Sequence, residues 1–156
     1  AAILAGGTSP DGIQEEELFN DRFYAYVSTG HPLFERSNIR IEDIDVRRLL
    51  LLSEGNCLRD QVLELCQAQK GVQRQYSFES ETLIRIVDNS SNMMTIVPEM
   101  VADFIDESHK PQLKTLAKGA TSRKITIAVR RTYVKRSLVA ALKESVLAAC
   151  RPDRHV

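Results

Sequence analysis

Cys57 and Cys66 are the residues of this chain whose types and spacing could do chemistry. They stand nine positions apart, at the two ends of the stretch Cys-Leu-Arg-Asp-Gln-Val-Leu-Glu-Leu-Cys. That stretch has the periodicity of an amphipathic helix, with Leu58, Val62, Leu65 and Cys66 on one face. Such a helix would hold the two sulfurs roughly 13 Å apart along its axis, at ~1.5 Å per residue, and nearly half a turn out of phase. A disulfide needs Cα atoms about 4.4–6.8 Å apart. Helix and disulfide exclude each other, and a thiol pair with that property can serve as a conformational switch thrown by oxidation.

Cys57, at the start of the helix, projects with Gln61, Glu64 and Ala68 on a polar, accessible side. A thiol in the first turn feels the positive end of the macrodipole, and Arg59 adds a neighbouring cation, so both favour thiolate. Asp60 is spaced to reach back to the Cys57 backbone N–H as in a capping box. A thiol of pKa about 8.5 is only ~3% ionised at neutral pH, against about 90% at a pKa near 6. Thiolate is the species that attacks peroxide, and the sulfenic acid it forms can be captured by a second thiol. On this reading Cys57 attacks and Cys66 resolves. The plainer alternative stays open: two such cysteines in a cytosolic protein are commonly independent structural thiols. A metal site would need three or four ligands, and His31, His109 and His155 fall in separate loop-like segments, so neither metal nor cofactor is expected. Cys150, on the last helix, reads as a bystander.

The elements that must position this pair can be read from the flanking sequence. Ser53-Glu54-Gly55-Asn56 is the turn before the cysteine helix, and Lys70-Gly71 is a stop signal after it. Leu49 to Leu52 is a continuous apolar run typical of a doubly covered parallel strand. Arg22 to Thr29, Gln75 to Phe78 and Met93 to Val97 predict further strands, and Arg123 to Arg130 alternates with Ile125, Ile127 and Val129 on one face. Leu113 to Leu116 predicts an edge strand. Helices are expected over about Ser80 to Asn89, Met100 to Ile105 and Ser137 to Cys150, with Ser137 as N-cap, and a short helix or turn over Ile41 to Val46. Gly6 to Gly12 is a loop or crossover. Strands alternating with helices imply an α/β fold with a largely parallel sheet.

With 156 residues the chain fits one domain, or one and a fraction, around a real core. Apolar residues at 43% and charged residues at 27% are the balance of a soluble globular protein. Lys plus Arg and Asp plus Glu both count 21, so no net charge points to nucleic acid or an acidic membrane. No run of eighteen apolar residues and no signal-peptide pattern is present, so no membrane partner is expected. Three cysteines, an odd number, suit a reducing cytoplasm. The apolar opening Ala1-Ala2-Ile3-Leu4-Ala5, with no turn or cap before it, predicts missing upstream sequence. Arg130, Arg131, Lys135 and Arg136 form a basic cluster that reads as solvated surface.

Leu50-Leu51-Leu52-Ser53-Glu54-Gly55-Asn56-Cys57-Leu58-Arg59-Asp60-Gln61, with Cys66 following, resembles the redox segment of the OxyR-type hydrogen-peroxide sensors, which are LysR-type transcriptional regulators. Supporting likenesses are Ala2 to Ala5, Ser80 to Arg85, Met94-Thr95-Ile96-Val97-Pro98 and Arg123-Lys124-Ile125-Thr126-Ile127. In the last of these the family carries an arginine near the reactive cysteine, which implies that Arg123 helps hold the thiolate. Asn56 stands where the family often has His, and Ser91 and Met93 replace common glycines.

The resemblance implies a Rossmann-like, periplasmic-binding-protein-type effector domain. It would hold the end of the first subdomain and crossover over residues 1–12, the second subdomain with the redox cysteines over 13–116, and a crossover strand and C-terminal helix returning to the first subdomain over 117–156. It also implies a cytoplasmic homodimer or homotetramer that answers hydrogen peroxide. DNA would be bound through an N-terminal winged helix-turn-helix absent from this sequence, RNA polymerase recruited, and the disulfide reset by glutaredoxin or thioredoxin. Gly55, Asn56, Arg59, Asp60 and Arg123 would form the surroundings of the Cys57–Cys66 pair. Two other classes compete: a LysR-type effector domain that binds a small organic inducer with incidental cysteines, and a thiol peroxidase, for which the expected Cys-x-x-Cys motif is missing.

Overall fold

Among the described residues the longest strand is Ile13–Val27, β2. The computed structural model describes residues 1–5, 10–52, 57–66, 80–117 and 122–150. Before β2 runs β1 (Ala2–Ala5), and after it the short β3 (Asn38–Arg40). Two 3-10 turns follow, Ile41–Asp43 and Val46–Arg48, then the helices α1 (Cys57–Leu65) and α2 (Ser80–Asp88). The chain continues through β4 (Met94–Pro98), α3 (Glu99–Ala102), a 3-10 turn at Glu107–Gln112, β5 (Leu113–Ala117), β6 (Ser122–Arg130) and α4 (Arg136–Cys150). These elements make two compact units, Ala1–Asp21 with Arg123–Val156, and Arg22–Ser122.

In the first unit β6 lies between β1 and β2, and pairs antiparallel with β1 so that Ala2 faces Ala128 and Ala5 faces Ile125. The alternation read in β6 places Ile125, Ile127 and Val129 in a core with Leu18, Phe19 and Val139 of α4. The strand also buries Thr126 and Ala128, so both of its faces are covered. The first half of β2 is an unexpected strand, because its run Gln14-Glu15-Glu16-Glu17 is poor in β-formers. Tertiary partners explain it. Glu15 accepts from Thr126 Oγ1 (3.0 Å), Glu17 meets Lys124 (3.1 Å), Glu16 meets Lys143 (3.6 Å) and Asp21 meets Arg123 (3.0 Å). The expected N-cap of the last helix also moves: α4 begins at Arg136, so Ser137 sits inside its first turn.

In the second unit the aromatic half of β2 pairs antiparallel with β4, Phe23 facing Pro98 and Val27 facing Met94. On its other side β2 pairs antiparallel with β5, Tyr24 facing Thr115, and β5 pairs parallel with β3. Two expectations are thereby corrected. Leu113–Ala117 is an interior strand, since three-residue β3 covers the edge that the sequence seemed to leave open. Among the described residues the ladders are also more antiparallel than parallel, because a long strand returning beside its neighbours replaces helical crossovers. Leu49 to Leu52 are all buried as read, yet among the described residues only Leu49 makes a parallel bridge, to Met94, with Leu50 N–H donating to Met94 O (2.8 Å). The expected strand at Gln75 to Phe78 and the stop at Lys70-Gly71 lie outside the described residues.

A polar staple ties this unit together. Asp88 at the end of α2 accepts from the Tyr26 phenol and from Gln112 Nε2, the latter at 2.8 Å. Burial together with this carboxylate pushes the Tyr26 phenol well above the usual tyrosine range, so it stays a donor at every physiological pH. Gly30, in the turn after β2, makes a close backbone approach: a Cβ there would stand 2.5 Å from the Ser91 carbonyl oxygen. Because the obstacle is backbone, Gly30→Ala is expected to lower stability by about 1–3 kcal/mol in urea unfolding with the m-value unchanged.

Candidate functional site

The site is built on α1, and its helical hydrogen bonds reach the second cysteine: the Cys66 backbone N–H donates to Val62 O at 3.0 Å. The two sulfurs are therefore separated by the full helical rise, on the order of 13 Å for nine residues. Both are free thiols, Cys57 exposed and Cys66 half-buried against the core of the second unit. That contrast is the half-turn phase difference made visible. Leu58 and Val62 on the Cys66 side are buried, and Asp60 in the first turn is exposed. Burial pushes the Cys66 thiol up from 9.0 to about 11, so it stays protonated at neutral pH.

Arg59 departs from the sequence picture of an outward cation beside the thiol. Its side chain turns inward to 8% exposure, and Nη1 donates to Leu52 O (3.3 Å) in a cleft lined by Leu50, Leu51, Val62, Leu83 and Val101. The guanidinium thus bridges the buried leucine run to the first turn of α1. A second feature escaped the sequence reading: Gln61 Oε1, one turn beyond Cys57, is buried with no hydrogen-bond partner among the described residues. The spacing of four residues from Cys57 was the available signal. Gly55 and Asn56 lie outside the described residues. Arg123 belongs to the first unit, where its Nε and Nη2 both reach Asp21 Oδ2 at 3.0 Å, with Asp21 only 1% exposed.

No group of three His, Cys, Asp or Glu converges on a common point among the described residues. His31 is buried in the turn after β2, its Nδ1 accepting from the Leu33 N–H (3.1 Å), and burial and Arg48 push its pKa down. No described helix is long and apolar enough to cross a membrane. What α1 offers is one exposed thiol, one shielded protonated thiol, and a rigid spacer between them.

The alkylation order follows from these exposures. With iodoacetamide near pH 8, Cys57 is expected to be modified well before Cys66, by intact-mass spectrometry with peptide mapping. Labelling of Cys66 in the folded chain rises only as pH climbs from 9.0 toward about 11. Over that window the unfolded chain holds fewer protons than the folded one, so the contribution of Cys66 to stability, present below pH 9.0, is lost as the pH rises. Equal labelling rates at pH 8 would contradict the shielding.

Comparison with known proteins gives the same family at three levels. A sequence profile described as the LysR substrate binding domain matches residues 1–151. A probable hydrogen peroxide-inducible genes activator of Mycobacterium leprae is 29% identical over 134 residues, covering 83% of this chain and 42% of that protein, so the chain spans less than half of its length. The crystal structure of OxyR from Porphyromonas gingivalis superposes with a TM-score of 0.82 at 31% identity, covering 99% of this chain and 71% of that one. The reduced form of the OxyR regulatory domain from Pseudomonas aeruginosa gives a TM-score of 0.76 at 25% identity, covering 93% of this chain and 70% of that one.

Proposed function

The chain belongs to the LysR substrate-binding-domain family, and from that premise we propose that it is the peroxide-sensing part of a transcriptional activator, with Cys57 as the peroxidatic and Cys66 as the resolving cysteine. The observation that carries this reading is the opposed exposure of the two free thiols across a continuous helical ladder. An exposed sulfur at a helix start can meet a small oxidant, while the shielded one is protonated at neutral pH.

The chemistry balances in two steps. The Cys57 thiolate attacks one peroxide oxygen, the O–O bond breaks, and hydroxide leaves as the sulfur becomes a sulfenic acid. The Cys66 thiol then displaces water from that sulfur to give the disulfide, so two thiols and one hydrogen peroxide yield a disulfide and two waters. The second step cannot occur on intact α1. Freeing the helix costs the burial of Leu58 and Val62, about 1.5–3 kcal/mol each. Closing a ten-residue loop returns roughly 2.5–3 kcal/mol in the chain-entropy model. The bond is therefore strained, and each 1.4 kcal/mol of strain raises its potential by about 30 mV, toward the reach of glutaredoxin or thioredoxin.

Arg59 sits where unwinding α1 must pull its guanidinium from Leu52, which couples oxidation to the apolar cleft. By family likeness the reading also takes in Asp60, Gly55, Asn56 and Arg123, of which Asp60 stands in the first turn of α1 and Arg123 is held by Asp21 within its own unit. In the whole protein we assign the remaining roles by family: a cytoplasmic homodimer or homotetramer, DNA contacted through a winged helix-turn-helix, and RNA polymerase engaged when the domain remodels.

Two measurements test the reading. In a Cys66→Ser variant, micromolar hydrogen peroxide should yield a dimedone-trapped sulfenic acid at Cys57 at least tenfold faster than at a free peptide thiol. In the unsubstituted chain, hydrogen exchange over residues 58–66 should rise when the disulfide forms. A Cys57 no faster than a free thiol would return the domain to the small-inducer reading.

A further inference from the structure

The geometry points to the connection between β6 and α4 as a docking surface for an acidic protein segment with an apolar anchor residue. The reasoning starts from charge. Between Ser122 and Lys143 the sequence contains no Asp or Glu, and apart from Arg136, which is held on Gln14, the cations there divide into two sets. Arg123, Lys124 and Lys143 are matched by Asp21, Glu17 and Glu16 of β2. Arg130, Arg131 and Lys135 are exposed and form no ion pair among the described residues, and neighbouring Asp11 does not compensate them by one. The positive charge is thus neutralised along the strand and left over at its end.

The second observation is apolar. Val134 is 89% exposed and stands in the middle of these cations, with Tyr133 at 40% beside it and Leu138 at 54% one helical turn further on. Arg130, Thr132, Tyr133, Val134 and Lys135 line a surface recess. A surface evolved only for solvation has no need of a nearly naked valine inside a basic rim. A phosphate backbone would use the cations but not the valine. An acidic peptide carrying one leucine or phenylalanine uses both: carboxylates meet the rim and the anchor fills the recess.

The third is rigidity. Arg131 N–H donates to Gly12 O (2.9 Å), Tyr133 N–H to Arg130 O (2.9 Å) and Arg136 N–H to Val134 O (2.9 Å). The Arg136 guanidinium is fixed on Gln14 Oε1 (3.0 Å) and reaches Arg131 O (3.5 Å). A turn held this way loses little freedom on binding, which lowers the entropic cost of association.

Fluorescence anisotropy of the full chain tests the assignment with three labelled probes: a Glu/Asp-rich peptide with a central Leu, the same peptide with Ser in its place, and a short random-sequence DNA duplex. The Leu peptide should bind saturably, weaken about tenfold in an Arg131→Glu, Lys135→Glu variant, and weaken again in Val134→Asp, with thermal melting unchanged. Raising salt should weaken it further. No saturable binding, equal binding of the Ser peptide, tighter binding of the duplex, or indifference to the charge reversals would overturn the proposal. So would sedimentation showing that the unmodified chain self-associates through the same residues, which would assign the surface to a second copy.

Discussion

A helical backbone cannot place residues nine apart on the same side, and the chemistry proposed for this domain depends on that constraint. Cys66 N–H bonded to Val62 O keeps the second thiol inside the α1 ladder. While the ladder stands, one sulfur is in water and the other is pressed on the core. In the proposed reaction peroxide would supply the driving force, since loop closure offsets only part of the lost burial. The helix is in this sense both spacer and latch, and Arg59 links it to the leucine run beneath.

The scaffold under that helix is fixed by ordinary means. Leu49 to Leu52, Leu58, Val62, Leu83 and Met94, Ile96 and Val97 of β4 share one apolar cluster, so α1 rests on residues drawn from several distant segments. The Tyr26–Asp88–Gln112 staple ties β2, α2 and the 3-10 turn that leads into β5. Under the proposed oxidation, this core is what would remain when the nine-residue α1 is exchanged for a loop.

Charge follows a different rule in the other unit. The glutamates of β2 look like a solvated linker in isolation, yet each finds a hydroxyl or cation on β6 or α4. Their matching leaves the excess positive charge at the β6–α4 turn. An overall charge of zero thus conceals a local imbalance, visible only once the paired residues are subtracted.

The sequence by itself determined what depends on period and local chemistry. It specified α1 from its apolar spacing, the exposed and shielded roles of Cys57 and Cys66 from their half-turn offset, β4 and β6 from their β-branched runs, and the family from the segment around Cys57. Only the tertiary structure decided what depends on partners distant in the chain. The strand character of Gln14 to Glu17 needed Thr126, Lys124 and Lys143, and the interior position of β5 needed three-residue β3. The inward turn of Arg59 needed the Leu52 carbonyl. A local pattern records how a residue relates to its neighbours along the chain, whereas burial of a charge depends on which distant group arrives to meet it.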